Sequence, residues 1–204
     1  MSLITDDSTA ASHPGEIIIA ADKYLDYRGI KGMGRIYYSL LFRVSDDLLF
    51  RRFKHNQVVF DWLLKKEHFK NGCVNPSVVI NKDTGLLATF TNLTSTGLHP
   101  TPVIKIAAEK LYLVKNISIN NGQRLATVAL YKRGEDPDAK AWINFDPKLP
   151  NCFTDNTDTC NWAIRRISKN AWKCLELGLD QISTKDQPGL YHVDLDSNLV
   201  NKAY

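Results

Sequence analysis

Four cysteines, five histidines and one tryptophan set among cations are the residues through which this 204-residue chain could do chemistry. Cys73, Cys152, Cys160 and Cys174 contain no C-x-x-C pair, so the spacing of a zinc knuckle is missing and no metal site is expected. On a single helix Cys160 and Cys174 would stand about 21 Å apart at 1.5 Å per residue. A disulfide needs Cα atoms within about 7 Å, so these two are read as free thiols. His13, His55, His68, His99 and His192 form no H-E-x-x-H or similar pair. His68, five residues before Cys73, is the one Cys/His couple to weigh as a nucleophile and its base.

The glycines at 29, 32 and 34 lack the G-K-[ST] ending of a phosphate loop and precede any strand, so they read as a joint between helices. Asp194, Asp196 and the Asp136-Pro137-Asp138 run read as loop acids serving turn geometry. Asn92-Leu93-Thr94 and Asn116-Ile117-Ser118 match the glycosylation sequon, without a secretory signal to give it force. No catalytic residue, metal or cofactor is assigned.

The residues that stand out lie near the C-terminus. On a helix over 159–177, Cys160, Ile164, Ile167, Ala171, Cys174 and Leu175 share one face. Trp162 falls opposite, at about 200° from Cys160, with Arg165, Arg166, Lys169 and Lys173 between about 140° and 240°. A tryptophan among four cations suits an acidic protein, or nucleic acid held by stacking and phosphate contacts. The competing reading is a solvated face whose Trp162 is covered by the N-terminal arm or stacks under Arg166.

The elements that would position these residues follow from periodicity. Residues 22–27, 35–42 and a longer run from Ser45 to Gly72 read as helices; Ser45 is placed to cap the last, and a break near Asn56 is expected. From Val74 onward short β-branched runs alternate with turn signals: 75–81, 86–93, 103–106, 111–119, 124–132 and 141–145. Lys82-Asp83-Thr84-Gly85 and Asn121-Gly122 are the hairpin turns. The last helix is expected to be capped by Gly178, with an edge strand at Pro188–Val193. The expectation is an α+β fold: a helical arm over 16–72, a small antiparallel barrel-like sheet of five or six strands over 73–150, and a helix with a final strand over 155–204. These form one domain behind a disordered leader, 1–15.

Bulk composition bounds the function. An apolar fraction of 44% and a charged fraction of 24% are ordinary globular usage. Net charge is +4, and residues 28–72 carry ten Lys/Arg against four acids. No apolar run approaches the roughly 20 residues of a membrane helix, so no membrane insertion is expected. The first residues show no signal-peptide pattern, which argues for the cytoplasm.

From Cys73 onward the chain resembles an uncharacterised bacterial domain family with a small β-barrel core. The resemblance rests on Gly72-Cys73-Val74-Asn75-Pro76-Ser77-Val78-Val79, Leu86–Leu93, Pro102–Ile106, Ala129-Leu130-Tyr131, Trp142–Pro147 and Pro188-Gly189-Leu190-Tyr191. It implies a barrel with a packed helix and brings no activity. The resulting reading is a non-enzymatic protein-binding module of immunity or adaptor type, using Trp162, Arg165, Arg166, Lys169 and Lys173. Two alternatives stay open: a nucleic-acid-binding protein with a basic face, and a small-ligand or hydrolytic enzyme assembled from distant residues such as His68, Cys73 and Asp194.

Overall fold

The computed structural model of the chain describes residues 14–94, 99–132, 134 and 142–204. Of the leader expected over 1–15, residues 1–13 with His13 lie outside the described residues, as do the acids of the 136–138 run, whereas Pro14 and Gly15 are described and hydrogen-bonded to Arg166 and Gly72.

The arm holds four helices, α1 (Ala21–Arg28), α2 (Gly32–Leu41), α3 (Asp46–Phe53) and α4 (Gln57–Asn71). The run from Ser45 to Gly72 is therefore two helices. The break falls where Asn56 turns its side chain back to accept from the Val58 and Val59 amides, starting a new helix. Ser45 occupies the N-cap position of α3, but its hydroxyl makes no capping bond. Helix α2 begins inside the glycine run, with Gly34 in its first turn.

Strands β1 (Cys73–Asn81), β2 (Leu86–Asn92), β3 (Pro102–Ala108), β4 (Arg124–Lys132), β5 (Asn144–Lys148) and β6 (Gly189–His192) form one antiparallel half-barrel sheet. Their order is β5-β4-β1-β2-β3-β6, so the sheet is open at β5 and β6. The β1–β2 turn forms as the sequence signals it: the Asn81 side chain accepts from the Asp83 and Thr84 amides, and Gly85 takes φ 74°. A register shift between Val79 and Asn81 bends β1 just before this turn.

The expected strand over 111–119 is not formed. Leu111–Leu113 is a 3₁₀ turn, and the Asn121-Gly122 turn docks on β1 through the Gly122 amide and the Val79 carbonyl, at 2.8 Å. With residues 109–121 spent as a connection, β4 pairs with β1, Val74 opposite Val128. The strand expected over 141–145 lies at 144–148.

Two helices, α5 (Thr157–Arg166) and α6 (Lys169–Asp180), replace the single C-terminal helix, and a short α7 (Ser197–Asn201) follows β6. Ser168 divides the first two by accepting from the Ala171 amide. Gly178 lies inside α6, not at its end. A Cβ there would come within 2.7 Å of Ile104 Cδ1, so the missing side chain is what lets α6 sit close on β3.

Alternate residues of β2 and β3 (Leu86, Ala88, Phe90, Ile104, Ile106) pack against Ala171, Cys174 and Leu175 of α6. The arm packs Tyr24, Trp62, Leu63 and Phe69 with Val74 and Val128 of the sheet. Full burial of a side chain of this size contributes roughly 1.5–3 kcal/mol, so these two clusters dominate cohesion.

Candidate functional site

Among the intervening residues of the central strands, Asn75, Ser77, Thr89, Thr91 and Thr127 are buried and polar. The Ser77 hydroxyl lies 2.7 Å from Thr89 Oγ1 and 2.8 Å from Thr127 Oγ1, and all three residues are buried. Beside them the Tyr204 hydroxyl donates to Asn75 Oδ1 at 2.6 Å, and Thr91 meets the Tyr131 hydroxyl at 2.6 Å. These groups satisfy one another beside the sheet, and none of them lines the groove described below.

The three residues weighed for an assembled active site do not converge. His68 is fully buried on α4, its Nε2 2.9 Å from the Val128 carbonyl, which makes Nε2 the protonated nitrogen. Burial, reinforced by Lys65, drives its imidazole down to about 3. Cys73 is buried at the start of β1, and burial pushes its thiol up to about 11, away from the reactive thiolate. Asp194 is exposed and clasped through its backbone by the Gln181 side chain. Cys160 and Cys174 are likewise pushed up to about 11 by burial, and all four cysteines are free. Among the described residues no group of three or more His, Cys, Asp and Glu is placed to hold a metal ion.

A charged cluster joins α4 to β5. Lys65 Nζ lies 4.0 Å from Asp146 Oδ2, and Lys148 Nζ lies 3.1 Å from Asp146 Oδ1. Burial would raise the Asp146 carboxyl, but Lys148 and then Lys65 outweigh it and hold it below the usual carboxylate value. Nearby, burial and the Glu109 carboxylate push the Tyr27 phenol up. The cations of the cluster are thus engaged with carboxylates of the same chain.

The Trp162 surface is divided by the helix break. Arg166 lies 4.4 Å over the Trp162 ring, donates to the Pro14 carbonyl at 2.7 Å and approaches Glu16 at 3.9 Å. Trp162 and Arg166 are half-buried and hold the N-terminal segment against α5, whereas Arg165, Lys169 and Lys173 are exposed, the two lysines on α6.

That held segment forms one wall of a groove that no sequence pattern announces. The amides of Gly15, Glu16 and Ile17 donate to the carbonyls of Gly72, Lys70 and Phe69 at 2.9, 2.8 and 3.1 Å, satisfying the end of α4. Leu63, Lys66, Glu67 and Lys70, at helical spacing on α4, form the facing wall, and Asp46 and Asp47 at the start of α3 close one side. The enclosed volume is about 580 Å³, within the range of ligand and peptide sites. Ile17 and Leu63 are buried beneath it, and Ile18, 85% exposed, stands at its lip. Glu16, Asp46, Asp47 and Glu67 oppose Lys66 and Lys70, and Lys66 is already bonded to both Asp46 oxygens, at 2.7 and 2.5 Å. The wall could have been foreseen only from the pairing of residues 15–17 with 69–72, which leaves no local pattern.

An open antiparallel half-barrel flanked by a helical arm and the C-terminal helices defines an α+β protein. The chain belongs to the family described as Protein of unknown function (DUF3239), whose model matches residues 64–183, from within α4 to just beyond α6. No curated protein matches it. A crystal structure of a candidate membrane protein from Corynebacterium diphtheriae is similar at a TM-score of 0.49 and 13% identity, over 59% of this chain and 100% of that one. No helix among the described residues is long and apolar enough to cross a membrane.

Proposed function

We propose that the chain is a non-enzymatic protein-binding module of immunity or adaptor type, and that it receives a basic, apolar segment of its partner in the groove of the helical arm. The groove carries the proposal: its buried floor is Ile17 and Leu63, and its rim holds four carboxylates against two ammonium groups. An aliphatic side chain could fill the floor while a flanking Lys or Arg joins Asp47 or Glu16, each shared with a cation of the chain, Arg51 at 3.1 Å and Arg166 at 3.9 Å. The inaccessible hydroxyl cluster and the raised thiols support the non-enzymatic reading. Four free buried thiols support a reducing compartment, and we assign the protein to the cytoplasm. Arg165, Lys169 and Lys173 belong to this proposal as a second, acidic-partner contact. The nucleic-acid alternative is weakened because five of the ten cations in 28–72 (Arg28, Arg35, Arg51, Lys65 and Lys66) are ion-paired within the chain.

The test is NMR titration of the labelled chain with amphipathic peptides that differ only in the sign of their charge. Saturable shifts at 16–19, 46–47 and 63–70 with the basic peptide, lost in Ile18→Asp and Asp47→Lys, are expected. Equal response to the acidic peptide, or shifts centred elsewhere, would remove the groove as the site.

A further inference from the structure

Helix α2 has two apolar faces, and only one is used. Tyr38, Leu41 and Phe42 turn inward. Phe42 stacks on Trp62 with ring centroids 4.9 Å apart, and the Asn56 side-chain amide donates to the Tyr38 hydroxyl at 3.2 Å. On the other side Met33, Ile36, Tyr37 and Leu40 are 80%, 57%, 50% and 59% exposed. At 100° per residue these four fall within an arc of about 100°, a continuous stripe along the helix. Exposure this high at four adjacent positions makes the stripe a projecting ridge, and none of its residues lines the groove described above. No residue of α2 is buried.

The charge around the ridge is one-sided. Between Asp26 and Asp46 the chain contains no acid but carries Arg28, Lys31, Arg35 and Arg43. Arg28 and Arg35 pair with Asp61 and Asp26, whereas Lys31 before the helix and Arg43 after it are exposed. We infer that α2 is an interfacial helix that docks this protein on an anionic lipid surface, with Met33, Ile36, Tyr37 and Leu40 entering the acyl boundary and Lys31 and Arg43 meeting the headgroups.

Three features favour a bilayer over another occupant. Apart from the Tyr37 hydroxyl, the ridge offers only aliphatic and thioether side chains, Met33, Ile36 and Leu40, which suits a surface with no fixed shape. Tyr37 presents a ring and a hydroxyl at the edge of the stripe, the amphipathic type enriched at membrane interfaces. Pairing with a second copy across the same ridge would bring Lys31 and Arg43 of each chain toward those of the other. An apolar face flanked by cations is what peripheral binding to anionic lipid requires, through buried area and surface potential together. The inference is independent of the groove, which lies on α3, α4 and the 15–19 segment.

The experiment is sedimentation of the full chain with vesicles of phosphatidylcholine alone and of phosphatidylcholine with phosphatidylglycerol, at low and high salt. Binding to the anionic vesicles that weakens with salt is expected. Ile36→Asp/Leu40→Asp removes two of the four apolar contacts and should lower partitioning by at least about tenfold. Lys31→Glu/Arg43→Glu reverses two surface charges and should cost the anionic preference by about tenfold or more. All four positions are exposed, so thermal unfolding of both variants should match the parent. No sedimentation with anionic vesicles, or equal sedimentation of the Ile36→Asp/Leu40→Asp variant, overturns the inference. So does a parent dimer that this variant dissociates in analytical ultracentrifugation without any lipid dependence.

Discussion

His68 makes burial measurable. Its ring is enclosed by Phe69 on its own helix and by Val128 of β4, with Lys65, Asp146 and Lys148 the charged groups acting on it. The imidazole is neutral in the fold down to about pH 3, against an ordinary value of 6.5. As pH falls below 6.5 the unfolded chain takes up a proton that the folded chain refuses, so stability falls through the window from 6.5 to about 3 and then levels off. At 1.36 kcal/mol per unit, the 1.5 units between 6.5 and pH 5 amount to about 2 kcal/mol lost from this group. His68→Gln keeps a donor for the Val128 carbonyl and does not titrate. Urea unfolding of both proteins at pH 7 and pH 5 should give a double difference of about 2 kcal/mol, the parent losing more. Other acid-sensitive groups, Asp146 among them, are common to both proteins and cancel to first order. A double difference under about 0.5 kcal/mol would mean that His68 protonates without unfolding, and the burial argument would fail.

Three further outcomes are expected. Arg166→Ala removes a charged hydrogen bond and a stacked guanidinium and should cost about 2 kcal/mol in urea unfolding, with faster amide exchange at 15–17, while Arg165→Ala stays within about 0.5 kcal/mol. Ser77→Ala leaves the Thr89 and Thr127 hydroxyls only their 3.4 Å contact and should cost about 1–2 kcal/mol; an unchanged urea midpoint would show that the cluster is not needed for stability. Gly85→Ala would set a side chain at φ 74° against the Glu109 carbonyl oxygen and should cost more than about 2 kcal/mol. Gly122→Ala, at φ 77° with nothing within 4 Å, should cost about 1 kcal/mol, and calorimetry of the pair isolates the backbone approach.

Elements whose cause is local were legible in the chain. The Lys82–Gly85 turn, the strand runs over 86–93 and 124–132 and the edge strand near Pro188 each follow from neighbouring residues, and all are present. The break at Asn56 was foreshadowed by the gap in apolar spacing. The break at Ser168 was not, because Ile164, Ile167, Ala171 and Cys174 keep helical spacing across it. That spacing projected Trp162 and four cations onto one face of one helix, whereas the polypeptide turns between Arg166 and Lys169. Leu111–Ile119 has strand composition, yet β4 fills the place beside β1, and no propensity reveals which run wins it. The groove was illegible for the same reason: its walls come from residues about fifty positions apart.

The wall formed by residues 15–17 also sets an order of events. Its amides need the carbonyls at 69–72, and Pro14 is gripped by Arg166, 152 positions later. On a chain made from its N-terminus, the 14–17 stretch can pair with the end of α4 early, but its Arg166 clasp emerges only after β1 to β5 have been synthesised. Until then only the three amides of residues 15–17 hold the stretch to the carbonyl end of α4. Full fastening of the groove wall therefore waits for the C-terminal third, although no residue of that third lines the groove.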